Sequence, residues 1–187
     1  TPTALRHDAG LAAAKVNVFL RQLVEKSGGV ATVGCIEFKP NAINVIPSKA
    51  VFTVDLRNPD KEKLDNDEKI LSEYLKNLAK EDDVRISAER MTEFDPVPFD
   101  EGIVEKVEKA AKAHGLSVRR ITSGAGQDAQ MIARICPTAM IFVPSVKGIS
   151  HNPEEYTKDE DVLAGAGVFL DVVMDMAVVG VPAARNN

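Results

Sequence analysis

At 187 residues, with 44% hydrophobic and 27% charged side chains, the chain is long enough for one ordinary domain or two small ones and has the composition of a soluble globular protein. Its net charge of −5 is spread over Lys and Arg scattered among carboxylates, with no basic stripe, which argues against a nucleic-acid partner. No apolar run approaches the length that spans a bilayer, and no basic-then-apolar leader opens the chain, so no membrane partner is expected.

Cys35 and Cys136 are too few for a disulfide framework and lack metal-ligand spacing. They are expected as buried, reduced thiols in a cytoplasmic protein.

Asp8 opens the first helical pattern. Ala12, Val16, Phe19 and Leu23 recur at helical spacing, and Gly28-Gly29 closes it. His7, beside the helix start, reads as an exposed flanking residue. A strand is expected over 31–38, a turn at Lys39-Pro40-Asn41, and an extended stretch over 44–56 broken at Pro47-Ser48. Alternation there puts Phe52, Val54 and Leu56 inward and Thr53, Asp55 and Arg57 outward. An outward arginine is usually a solvated charge or the partner of an Asp, and can instead lend its planar fork to a carboxylate ligand. Residues 61–80 form an amphipathic helix with Leu64, Leu71, Leu75 and Leu78 inward and the Lys, Asp and Glu side chains outward. Asp82-Asp83 ends it, and a strand is expected over 84–94.

Asp95-Pro96-Val97-Pro98 disfavours both helix and central strand, marking a boundary between a first domain, 1–95, and a second, 96–187. Asp100 caps a helix whose stripe is Val104, Val107, Ala111 and His114, closed by Gly115. A short strand over 118–121 leads into Ser123-Gly124-Ala125-Gly126-Gln127-Asp128, where the glycines permit a turn that a side chain would obstruct and the next helix opens its N–H groups toward a polar ligand. An apolar strand over 138–143 then delivers the loop Ile149-Ser150-His151-Asn152-Pro153-Glu154-Glu155 to a sheet edge, where open α/β folds place their ligands. Thr157-Lys158-Asp159-Glu160 reads as a capping box for a last helix burying Val162, Ala166, Phe169, Leu170 and Val173. From Val178 onward there is no clear pattern.

Three motifs taken together are more specific than any of them alone. Pro40-Asn41-Ala42-Ile43-Asn44-Val45-Ile46-Pro47 with Asp55-Leu56-Arg57, the Gly124-Ala125-Gly126-Gln127-Asp128 turn, and the His151 loop together resemble the carbamoylase branch of the dinuclear-metal M20-type amidohydrolases. That hydantoinase/carbamoylase group contains N-carbamoyl-L-amino-acid hydrolases, β-ureidopropionases and allantoate amidohydrolases. The opening residues match the stretch that follows an Asn-His-Ala-Gly-Thr motif in that family.

The resemblance implies an α/β (α+β) chain. Its first part would be a ferredoxin-like βαββαβ lid or dimerisation domain lacking its first strand, and its second the C-terminal part of an aminopeptidase-like catalytic domain. It implies a hydrolase of linear carbon–nitrogen bonds, releasing carbamoyl or ureido groups from small amino acids. Asn44 and Arg57 would hold the substrate carboxylate, Gly126 and Gln127 would line the reacting end, and His151 would ligate one of two divalent ions: Zn, Mn, Co or Ni. The remaining ligands and the general base would lie in an N-terminal half that this sequence lacks, so the stretch alone is expected to hold no metal and to be inactive. Homodimerisation through the lid is implied as well. Gln127 departs from the pattern, since the family carries His there and Gln cannot take a charge or shuttle a proton. A non-catalytic assembly module and an N-acyl amino-acid amidase or dipeptidase stand as the other readings.

Overall fold

Asp8 starts the first helix by chemistry visible in the sequence. In the computed structural model its Oδ1 accepts from the Gly10 and Leu11 N–H groups at 2.9 and 3.0 Å, capping helix α1, Ala9–Ser27. Gly28 ends α1 in the left-handed region at φ 81° and donates back to the Val24 carbonyl, as a glycine C-cap does. The structure describes residues 1–179, and the patternless stretch from Val178 lies, beyond its last helical backbone, outside them. The chain divides into two compact units, Thr1–Pro96 and Val97–Asn187.

In the first unit, α1 is followed by four short strands: β1 Val30–Thr32, β2 Ile36–Lys39, β3 Lys49–Phe52 and β4 Asp55–Arg57. They pair as two antiparallel ribbons, β1 with β4 and β2 with β3, in the registers Val30↔Arg57 and Ile36↔Phe52. The strand expected over 31–38 is thus split. Cys35 sits at the break and is exposed rather than buried. The turn at Lys39-Pro40-Asn41 contains a cis Lys39–Pro40 bond and a left-handed Asn41. Gly29 approaches β4 closely enough that a Cβ there would lie 2.6 Å from the Arg57 carbonyl oxygen.

Helix α2, Lys61–Glu81, is capped by Asp60, whose carboxylate accepts from the Lys63 N–H at 3.2 Å. It lies against α1 around a core of Ala12, Val16, Leu20 and Leu78, with Phe52, Leu71, Tyr74, Leu75, Val84 and Ile86 packed about it. Phe19 stacks on Tyr74 at a ring separation of 3.7 Å. Not every acid of α2 points outward: Asp67, one turn after Leu64, is 1% exposed, and its Oδ2 meets no hydrogen-bond donor. Residues 84–94 alternate in burial near their start, as a strand would, yet form no ladder among the described residues. Alternation records which side chains face the core, whereas strand pairing also needs a neighbour to exchange hydrogen bonds. Ion pairs hold the end of this segment instead. Lys61 gathers Asp65, Glu93 and Asp95 at 2.9, 2.8 and 2.9 Å, and Arg90 joins Glu68 and Glu93.

In the second unit, Asp100 caps helix α3, Glu101–Ala113, through the Ile103 N–H at 3.0 Å. Helix α4, Asp128–Ile132, is five residues long, and α5 runs Asp159–Val179. The expected capping box is not formed among the described residues: Lys158 directly precedes α5, and its backbone carbonyl accepts from the Asp161 and Val162 N–H groups. Helices α3 and α5 pack on each other, burying Ile103, Ala111, Val168 and Val172. His114 is exposed and bonds Asp171 at 2.8 Å, while Lys106 pairs with Asp175, so both helices are also tied by charge. The face expected to be buried on α5 is displaced, because Val162, Phe169, Leu170 and Val173 are exposed and Val168 and Val172 carry the contact. The strands expected over 118–121 and 138–143 are absent as ladders among the described residues. Phe142 and Val143 are consequently open to solvent, and the Thr138 carbonyl is used by the Asp100 N–H at 2.9 Å.

Candidate functional site

The period-2 geometry of β4 sets residues 55 and 57 on one side of the strand with Leu56 on the other, half-buried, side. Arg57 therefore meets Asp55 directly. Its Nε donates to Oδ1 at 2.8 Å and its Nη2 to Oδ2 at 2.5 Å, a two-point ion pair with both side chains about half exposed. These hydrogen bonds hold the Asp55 carboxyl below its ordinary range and raise the guanidinium further above its own, with partial burial working against both shifts. Spacing alone leaves an outward arginine three uses, a solvated charge, an Asp partner or a carboxylate fork. The Asp partner is present, and the i, i+2 separation within Asp-Leu-Arg is the signal for it.

Asn44 lies in the connection between β2 and β3, exposed in a turn. It is thus carried by a different ribbon from Arg57.

Within the second unit, Gly126 and Gln127 are exposed at the entry to α4, and Gln127 takes the N-cap position without a side-chain cap bond. Neither glycine of the turn is demanded by crowding, since a Cβ at Gly124 or Gly126 would meet nothing within 4 Å. The expected steric reason for these glycines is therefore not found. The space beside them is open to an approaching molecule.

His151 sits in the left-handed region at φ 56° on an exposed loop. The loop is closed at its base by the Val146 N–H on the Tyr156 carbonyl at 2.8 Å. Glu155 accepts from the His151 backbone N–H at 2.8 Å, and the Asn152 side chain accepts from the Glu154 N–H at 2.9 Å, so Glu155 braces the turn that displays the imidazole. No hydrogen bond joins Gln127 to His151 among the described residues. Nor do the described residues contain three or more His, Cys, Asp or Glu side chains grouped to hold a metal ion. One exposed imidazole does not make a two-metal centre.

Residues 5–175 match the model of peptidase family M20/M25/M40. The chain is 40% identical over 179 residues to an N-carbamoyl-L-amino-acid amidohydrolase of Rhizobium meliloti, covering 95% of this chain and 43% of that protein. It is 35% identical over 182 residues to the allantoate amidohydrolase of Escherichia coli, covering 95% and 44% respectively. Among solved structures, a hydantoinase/carbamoylase family amidase from Burkholderia multivorans superposes with a TM-score of 0.88 at 38% identity, over 95% of this chain and 44% of that one. The chain thus spans less than half the length of the curated relatives it matches.

Proposed function

Because the chain belongs to peptidase family M20/M25/M40, we propose that it forms the lid and C-terminal catalytic portion of an amidohydrolase that removes carbamoyl or ureido groups from small amino acids. The observation that carries this reading is the exposure of Asn44, Arg57, Gly126, Gln127 and His151, none of which is consumed by a core. Each belongs to a segment that resembles the carbamoylase branch, and the relatives that match 95% of the chain are named for such substrates.

In this proposal Asn44 and Arg57 hold the substrate carboxylate, the arginine through its planar fork. Gly126 and Gln127 receive the reacting end, where open space lies beside the glycines. His151 contributes one ligand to a pair of divalent ions whose other ligands come from the rest of a polypeptide of the relatives' length. Bound ions would supply an activated water and a polarised carbonyl. The chain's own residues bind and orient. The first unit, 1–95, serves as the lid, a ferredoxin-like sheet completed by a first strand from outside this chain. It also dimerises, for which the unpaired outer edges of the β2–β3 ribbon offer backbone groups.

The test measures metal content and hydrolysis of N-carbamoyl-L-alanine by this chain, and by a graft in which it replaces the matching 43% of the Rhizobium meliloti relative. The graft is expected to hydrolyse, and to lose activity in Arg57→Ala and His151→Ala. A graft that binds metal and cleaves only N-acyl amino acids or dipeptides would move the reading to those substrates. One that folds without binding metal would leave an assembly module.

A further inference from the structure

The ion pair on β4 creates a problem for the function just proposed. An arginine that is to receive a carboxylate already holds one, on the two-point edge formed by its Nε and Nη2. The pair is close to neutral, so it presents little net charge to a second anion, and two carboxylates on one guanidinium would repel each other. It is also half exposed, hence screened and weak, so that a ligand carboxylate can displace it.

Resting on the reading of Arg57 as a carboxylate grip, we infer that Asp55 is a built-in competitor for that grip: it occupies the Arg57 fork in the empty chain, and a substrate carboxylate binds by taking the guanidinium from it. The exchange has consequences for selectivity. A ligand with no carboxylate has nothing to offer in place of Asp55 and gains nothing from Arg57. A ligand with a single acceptor oxygen would trade two charge-assisted bonds for one. Only a free, two-oxygen acid replaces like with like, so Asp55 would sharpen the preference for acids over amides and esters at the expense of absolute affinity. The opposing picture, in which Asp55 merely orients Arg57 for a ligand, makes the reverse prediction: removing Asp55 would loosen the arginine and weaken acid binding.

The experiment titrates the 187-residue chain, Asp55→Asn, Asp55→Ala and Arg57→Ala with N-carbamoyl-L-alanine and with its neutral amide, following affinity by calorimetry and the Arg57 Nε–Hε resonance by NMR. Circular dichroism checks that each variant is folded. The acid is expected to shift the Arg57 resonance in the parent, to bind about two- to fivefold tighter to both Asp55 variants, and to lose its advantage over the amide in Arg57→Ala. Amide binding should be the same throughout. Equal or weaker acid binding in both Asp55 variants, with the Arg57→Ala loss intact, overturns the competitor role and leaves the carboxylate grip standing. If Arg57→Ala keeps the acid preference, or if no protein binds the acid, the grip itself fails and this inference with it.

Discussion

Two residues apart on the exposed side of β4, Asp55 and Arg57 close a two-point ion pair at 2.8 and 2.5 Å. The guanidinium keeps the Asp55 carboxyl below its ordinary value of 3.8, so the folded state holds the proton less readily than the unfolded state does. A depressed folded pKa adds stability above the unfolded value, and that contribution is lost as pH falls through the folded one. Urea unfolding between about pH 5 and pH 2 should therefore show Asp55→Asn losing stability less steeply than the parent toward the acid end. With both side chains half in water, the difference should stay below about 1 kcal/mol. Parallel curves would mean that the pair adds nothing to the fold.

Asp67 offers a test of opposite sign. A carboxylate 1% exposed with an unpartnered oxygen is a burden on the helix pair that buries it. Asp67→Ala removes the orphaned group and inserts a better helix former, so the unfolding free energy measured in urea should rise by about 1 to 2 kcal/mol. A fall would show that the acid has a partner worth more than its burial.

Lys61 draws Asp65, Glu93 and Asp95 together, and the last two lie just ahead of the boundary at Pro96. These bonds raise the Lys61 pKa, so its ammonium group stays charged. Lys61→Met should speed amide exchange of residues 93–95 severalfold at low salt. The gap between variant and parent should close at high salt, because exposed charges are screened. A gap that persists at high salt would point to packing by the lysine stem.

The resemblance to the carbamoylases sets Gln127 at a position that reads His in that family's motif, and Gln127 takes the N-cap of α4 without a side-chain bond. In the graft with the Rhizobium meliloti relative, Gln127→His should raise turnover of N-carbamoyl-L-alanine by about a hundredfold or more and introduce a pH dependence near 6.5. Unchanged turnover and an unchanged pH profile would mean that position 127 does not reach the reacting end.

The parts of this fold that were legible in the sequence are those governed by local chemistry. Asp8 and Asp100 announce their helices because a carboxylate before an apolar period has one economical use, and Gly28 closes α1 because it alone tolerates φ 81° without strain. Strands fared worse. Residues 84–94, 118–121 and 138–143 have the apolar content of strands, but pairing depends on what lies alongside, which no window of sequence contains. For the same reason Asp67 and the exposed face of α5 depart from the sequence pattern, since a helix pattern gives a period and not which neighbour covers it. At the site, the residue types and the i, i+2 spacing of Asp55 and Arg57 are legible in the sequence, whereas the two-point geometry of their pair depends on how the strand holds both side chains.

Gly29 leaves no room for even a methyl group against the Arg57 carbonyl, where an added carbon would sit at 2.6 Å. With no slack at that point, any side chain at position 29 must push the backbone of β4, and the guanidinium it bears, away from the end of α1.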